Sequence, residues 1–335
     1  MEYYKFYERI HNVKDLPRIS KAICNEYNIG NYISHKVIEI GYEDFNFTLD
    51  TSEGKYFIKI LNKDREDSQC ERLIKILEKN NENNVSVPKI FRVNDSSIYN
   101  LKIDDVSLRI IVMEYIDGTN MYQLNRYLTL QELSGVAEQI AKINSINYDV
   151  EEYYDEWTIT NFESEYNKKM KHLEGEDKEL VGEALKQFYT IDFEKLKKCY
   201  THADVIIANL ILDKLGKIWI IDFSVLNYLP RLIELGVAVF GICMTDDREE
   251  TISRMNHFLK AYTKFNKLDD IEIKTFSAVF NCISAMNILQ TDYIKATSED
   301  FEENVHWLTE GRKALKMNIT DKDIKLANCL PKQME

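Results

Sequence analysis

The pattern of the chain changes at Asp117-Gly118, and that change limits the fold more than any other feature. Ahead of it, residues 35–41, 44–50 and 55–61 carry β-branched and aromatic side chains, often alternating with polar ones, which is the period of a strand. Thr51-Ser52-Glu53-Gly54 between the last two reads as a hairpin turn, with Gly54 free to take a positive φ. A helical period follows over 66–79, with Leu73, Ile76 and Leu77 on one face, and the region closes at Pro88. Residues 89–94 and 107–116 read as two more strands. Residues 1–116 are therefore expected to form a five-stranded antiparallel sheet with one helix.

Beyond the connector the period becomes helical. Thr129 and Glu132 form a capping box ahead of a helix reaching toward Tyr148, with Val136, Ile140, Ile143 and Ile146 on its buried side. Amphipathic runs recur near 161–173, 177–189, 230–243, 248–264, 270–289 and 299–316. One β interruption stands among them: Leu210–Leu212 and Lys217–Phe223 around a turn at Lys214–Gly216. With only 11 glycines and 4 prolines, long elements are expected. The expectation is an α+β chain of two lobes, a small antiparallel-sheet lobe over 1–116 and a larger, mostly helical lobe over 117–335, facing each other across a cleft.

Composition excludes several classes. A net charge of −13 repels phosphate backbones, so nucleic acid is not an expected partner. The same charge keeps the chain soluble and suits a cationic ligand. No stretch approaches the roughly 20 apolar residues of a membrane helix, and the N-terminus lacks the apolar core of a signal peptide. Cys24, Cys70, Cys199, Cys243, Cys282 and Cys329 form no CxxC or Cys/His cluster, so free thiols in a reducing cytoplasm are expected. The histidines show no metal-ligand spacing.

The chemistry concentrates in Thr201-His202-Ala203-Asp204-Val205-Ile206-Ile207-Ala208-Asn209, followed by Ile220-Ile221-Asp222-Phe223. Phosphoryl transfer needs a carboxylate on the attacking hydroxyl, an amide oxygen and a carboxylate on Mg²⁺, and a lysine on the α- and β-phosphates. A loop Asp and Asn five residues apart, then a hairpin ending in a second Asp, supplies the first three. Lys59, alone among apolar neighbours in Tyr56-Phe57-Ile58-Lys59-Ile60, needs an anionic partner or an exit to solvent.

These motifs resemble the aminoglycoside phosphotransferase family, which includes choline kinases, kinase-like homoserine kinases and spore-coat kinase-like proteins. The resemblance spans roughly residues 35–310 and implies the protein-kinase-like fold. It makes Asp204 the catalytic base, Asn209 and Asp222 the metal ligands, His202 a brace for the catalytic loop, and Lys59 the phosphate-binding lysine. Glu71 is the choice for a helix carboxylate on Lys59, with Glu66 and Glu78 as rivals. Gly41, in Gly41-Tyr42-Glu43-Asp44-Phe45-Asn46, marks a glycine-poor nucleotide loop. Met113, Glu114 and Ile116 match the adenine-contacting hinge, with the main chain of Glu114 and Ile116 left unpaired at a strand end. The implied cofactor is Mg²⁺ with ATP or GTP. The implied reaction is transfer of the γ-phosphate to a hydroxyl of a small molecule.

The chain departs from the family pattern at several positions. Ala203 stands in place of glycine, which a negative φ would tolerate. Val205-Ile206-Ile207 is more apolar than usual, Glu234 replaces an Asp, and Asn144 stands where a histidine is common. Glu151-Glu152-Tyr153-Tyr154-Asp155-Glu156-Trp157 combines carboxylates with rings and suits a cationic acceptor, and equally an acidic connector between helices. His306 and Trp307 either edge that acceptor site or pack the core. The competing class is a catalytically weak or inactive structural protein of the spore-coat type. It is disfavoured because Lys59, Asp204, Asn209 and Asp222 are all present. A protein kinase is disfavoured by the short chain between Phe223 and Pro230, which leaves little room for an activation segment.

Overall fold

Residues 3–38, 44–148, 152–298 and 304–326 are described by the computed structural model, and they divide into two compact units at Gly118/Thr119. The first unit opens with helices α1 (Tyr3–Glu8) and α2 (Leu16–Tyr27). Asp15 caps α2, its carboxylate accepting from the Arg18 N–H, and Asn28 closes it in the left-handed region at φ 51°. Leu16, Ile19 and Ile23 recur at helical spacing and are buried.

Six strands follow: β1 (Tyr32–Ile38), β2 (Phe45–Thr51), β3 (Lys55–Ile60), β4 (Ile90–Phe91), β5 (Tyr99–Ile103) and β6 (Val106–Glu114), with α3 (Asp67–Glu82) between β3 and β4. All pairings are antiparallel, in the order β1-β2-β3-β6-β4, with β5 also on β6. The sheet thus has six strands rather than five. The added one is β5, joined to β6 by a turn at Asp104-Asp105 with Asp104 at φ 52°. Phe45, Phe47, Leu49, Ile58, Ile60, Leu108, Ile110 and Val112 share a core with the α2 residues. Lys59 alternates with Ile58 and Ile60, so it stands on the sheet face turned away from that core.

The second unit is helical around short strand pairs. Its elements are β7 (Gly118–Asn120, straddling the boundary), α4 (Leu130–Asn144), α5 (Phe162–Lys169), α6 (Gly175–Phe188), β8 (Lys198–Thr201), β9 (Leu210–Asp213), β10 (Ile218–Ile220), β11 (Asn227–Pro230), α7 (Arg231–Ala238), a π-helical turn (Val239–Cys243), α8 (Arg248–Thr263), α9 (Asp270–Thr297) and α10 (Val305–Lys316). The Thr129/Glu132 capping box is present at the start of α4. The expected hairpin is β9–β10, and a second pair, β8–β11, accompanies it. α9 is the axis of this unit, with α5, α6, α7 and α10 packed around it. Gly311 lets α10 approach closely, since a Cβ there would lie 2.6 Å from the Ser284 carbonyl oxygen of α9.

No helix among the described residues is long and apolar enough to cross a membrane. Cys24, Cys70, Cys199, Cys243 and Cys282 are buried free thiols.

Candidate active site

β8 delivers the chain to the Asp204 loop. Thr201 ends the strand, its hydroxyl donating to the Asn227 carbonyl of β11 (3.0 Å). His202 is fully buried, and its surroundings fix the tautomer: the Asp204 N–H donates to Nδ1 (3.2 Å), so Nε2 carries the proton and donates to the Ile221 carbonyl (3.0 Å). Burial pushes the imidazole down to about 4, keeping it neutral. Its ring lies edge-on to Phe223 with centroids 4.4 Å apart. His202 therefore ties the Asp204 loop to the strand end that presents Asp222.

Asn209 closes the loop from the other side. Its side-chain amide donates to the Asp204 main-chain carbonyl (2.9 Å) and to Asp204 Oδ2 (2.7 Å), while its main-chain carbonyl accepts the Ile221 N–H (3.0 Å). The amide oxygen of Asn209 has no protein partner among the described residues. Asp222, exposed, sits at φ 64° between the clamped Ile221 and the buried Phe223. Burial pushes the Asp204 carboxyl up to about 7, and the charges of Asp222 and Asp155 push in the same direction against the Asn209 bond. The structure therefore brings Asp204, Asn209 and Asp222 together, with His202 bracing them.

Two hard oxygen donors, the Asp222 carboxylate and the Asn209 amide oxygen, suit Mg²⁺, which keeps waters and substrate phosphates in its remaining positions. Among the described residues no three His, Cys, Asp or Glu converge as ligands.

The sequence model of the phosphotransferase enzyme family matches residues 34–267. The chain belongs to that family. No curated protein matches its sequence. Among solved structures, a microcompartment-associated aminopropanol kinase is 13% identical with a TM-score of 0.64, covering 90% of this chain and 95% of its own. Spectinomycin phosphotransferase APH(9)-Ia, solved with ADP and spectinomycin, is 14% identical with a TM-score of 0.61 over 92% and 98%. Choline kinase LicA from Streptococcus pneumoniae is 15% identical with a TM-score of 0.56 over 90% and 99%. At these identities the likeness is one of fold, and it gives this phosphotransferase-family chain the kinase-like architecture of a sheet lobe followed by a helical one.

Within this member of the phosphotransferase enzyme family, the unusual residues of the loop have physical partners. Ala203 adopts φ 67°, so the condition under which alanine would be harmless is not met: the position is left-handed, and alanine pays a steric cost there that glycine avoids. Its N–H donates to Glu234 Oε2 (2.9 Å) from α7. Glu234 is buried, its Oε1 has no partner among the described residues, and burial pushes its carboxyl up to about 7. The apolar Val205-Ile206 is explained by what lies behind it. Val205 is fully buried, and Ile206 sits against Gly241 of the π-helical turn, where a Cβ would come within 2.7 Å of its Cγ2. Trp307 packs 6.2 Å from Phe240 of the same turn, and His306 is exposed beside it. Asn144 braces β8, donating to the Tyr200 carbonyl (3.0 Å) and accepting from the Tyr262 hydroxyl (2.9 Å).

In the first unit, Lys59 contacts Asp44 (3.1 Å). Glu71 is exposed on α3, so among the described residues the carboxylate on Lys59 is that of Asp44 and not that of Glu71. Gly41 lies outside the described residues. Met113 is buried and registers with Phe57 and Ile90. Glu114 is not left unpaired at a strand end. Its N–H donates to the Lys89 carbonyl (2.8 Å) because the chain ahead of β4 continues the ladder, and its carboxylate accepts the Lys89 N–H (3.2 Å). The Ile116 carbonyl accepts from the Gly118 N–H (2.9 Å).

Two contributors were not singled out from sequence. Asp44 had a signal in the hairpin: the turn at 51–54 sets Asp50 opposite Lys55 and hence Asn46 opposite Lys59. Asp44 shares the face of Asn46 and stands on the diagonal from Lys59, within reach of a long side chain. Gly241 carried none, since a glycine in an apolar helical run does not reveal which loop it backs.

Proposed function

We propose that this family member transfers the γ-phosphate of ATP or GTP to a hydroxyl of a small, amine-bearing molecule. The observation that carries the reading is the bonded Asp204–Asn209 pair with the Asp222 charge close enough to act on Asp204. Asp204 would accept the proton of the attacking hydroxyl, and a carboxyl lifted to about 7 matches that task better than an ordinary aspartate does. Asp222 and the Asn209 amide oxygen would hold Mg²⁺, which when bound neutralises charge on the transferring phosphoryl group. Lys59 would bind the α- and β-phosphates.

The acceptor reading rests on residues 152–157. Tyr153 is gripped at both main-chain groups by Asn227, which donates to its carbonyl (2.9 Å) and accepts its N–H (3.2 Å). Glu152 pairs with Lys198 of β8 (2.9 Å) and Glu156 with Lys169 of α5 (2.6 Å). Asp155 is thereby held near Asp204, with Tyr154 and Trp157 exposed alongside. Carboxylates beside aromatic faces favour an ammonium group, and two of the solved relatives are named for aminopropanol and choline.

The test is a nucleotide-consumption screen against aminoglycosides, choline, homoserine and methylthioribose, run with the parent chain and Asp204→Ala. Turnover with one acceptor is expected, with kcat lowered at least ~10³-fold in the variant and nucleotide affinity kept. Undiminished turnover by Asp204→Ala eliminates the base assignment. A parent chain that neither binds nor consumes nucleotide favours the inactive, spore-coat-type reading.

A further inference from the structure

We propose that Asp44 is the positioning carboxylate of the phosphate site, and that it holds two cations there, Lys59 and Arg65, rather than one. The inference rests on the phosphotransferase reading above.

The Asp44 side chain is wholly buried. Its Oδ1 accepts the Asn62 N–H (3.0 Å), and its Oδ2 accepts from Lys59 Nζ (3.1 Å) and from Arg65 Nη2 (3.2 Å). Its main-chain carbonyl accepts from Arg9 Nη1 (3.0 Å). Both carboxylate oxygens are therefore used and neither can swing away. The surrounding cations hold the carboxyl below its ordinary range even though burial alone would raise it.

The three glutamates that the sequence offers for Lys59 are placed elsewhere. Glu66 is exposed at the N-cap of α3, where its N–H is held by Gln69 (3.2 Å). Glu71 is exposed. Glu78 accepts from Arg92 (2.5 Å) and Ser97 (2.8 Å). Asp44 instead reaches Lys59 through the sheet itself, one diagonal step across the β2–β3 pair. Lys59 is thus held by the residue that leads into the neighbouring strand β2 and not by α3.

Arg65 adds the second cation. It sits on the connection between β3 and α3 and shares one carboxylate oxygen with Lys59, so the two donor nitrogens are no further apart than those two contacts laid end to end. The Lys59 and Arg65 side chains keep 15% and 12% of their surface exposed. A guanidinium beside an ammonium matches a phosphate chain, the arginine giving a planar fork and the lysine a point charge.

The experiment measures ATP and adenosine binding by titration calorimetry on the full-length parent chain and on Asp44→Asn, Arg65→Met and Glu71→Gln, with circular dichroism melts of each. Asp44→Asn and Arg65→Met are expected to weaken ATP at least ~10-fold and leave adenosine unchanged, since only the phosphates meet these cations. Glu71→Gln is expected to match the parent. Arg65→Met serves if Asp44→Asn fails to fold, because its side chain keeps the apolar stem. Parent-like ATP affinity in a folded Asp44→Asn or in Arg65→Met overturns this inference alone, as does a tenfold loss confined to Glu71→Gln. A parent chain that binds no nucleotide overturns the phosphotransferase reading and this inference with it.

Discussion

The two charged sites of this chain are built on different principles. The Asp204 site is written along one stretch: His202, Asp204, Asn209 and Asp222 fall within 202–222 and the bonds among His202, Asp204, Asn209 and Ile221 stay inside it, with Glu234 of α7 holding Ala203 from outside. The Lys59 site is a sheet device, in which residues 15 and 21 positions from Asp44 meet on one buried carboxylate through strand register. The difference teaches that a loop site is spelled out along one stretch of sequence, whereas the partner of a strand residue is set by register.

The largest expected effect that sharpens this contrast is at Asp222. Asp222→Ala should abolish Mg²⁺-dependent strengthening of nucleotide binding, a loss of about 100-fold or more, while metal-free binding persists. Equal affinities with and without Mg²⁺ in both proteins would remove the metal role.

Next is Gly241→Ala, which tests whether the Asp204 loop depends on its backing. The added methyl would collide with Ile206 between Asp204 and Asn209, costing about 1–3 kcal/mol in stability and lowering kcat together with the melting temperature. Unchanged kcat and melting would mean that the π-helical turn does not support the loop.

A pH effect of comparable size is expected at Glu234. Its folded value of about 7 lies above its ordinary 4.5, so folding favours the protonated form. That contribution is complete below about 4.5 and is lost as pH rises through about 7, in total on the order of 3 kcal/mol. Glu234→Gln keeps an acceptor for the Ala203 N–H and removes the titration. Its denaturant-unfolding stability should be flatter than the parent's across that window and higher above neutrality. A parent whose stability rises through the same interval contradicts the assignment.

The smallest effect is at Ala203→Gly. Relief of the left-handed alanine is offset by glycine's greater freedom when unfolded, leaving a gain of about 0–1 kcal/mol. A clear loss of stability would show that the φ of 67° carries no strain.

Much of the Asp204 loop was legible because its residues are contiguous: spacing singles out Asp204, Asn209 and Asp222, which the fold brings together, and Lys214–Gly216 marks the hairpin between them. The helices of the second unit were legible from period alone, to within a few residues at α5, α6 and α8. Harder to see were β5, where Tyr99, Leu101 and Ile103 alternate but the turn is Asp-Asp without glycine, and α2, whose cap at Asp15 and apolar Ile19 and Ile23 lie ahead of the motif-bearing region. The partner of Lys59 is hidden along the sequence because it is set by hairpin register, which puts Asp44 on the same face, and not by a glutamate of the following helix. The Glu114 pairing depends on an edge strand of two residues, too short to leave a periodic trace.

One amide group, that of Asn209, touches both the backbone and the carboxylate of Asp204 while its oxygen points elsewhere. Every change at 209 is therefore registered twice, once by whatever its oxygen serves and once by its neighbour five residues back. An aspartate there would keep an oxygen but surrender both N–H donors and set two anions face to face. A substitution at 209 is therefore tolerated only where 204 changes with it.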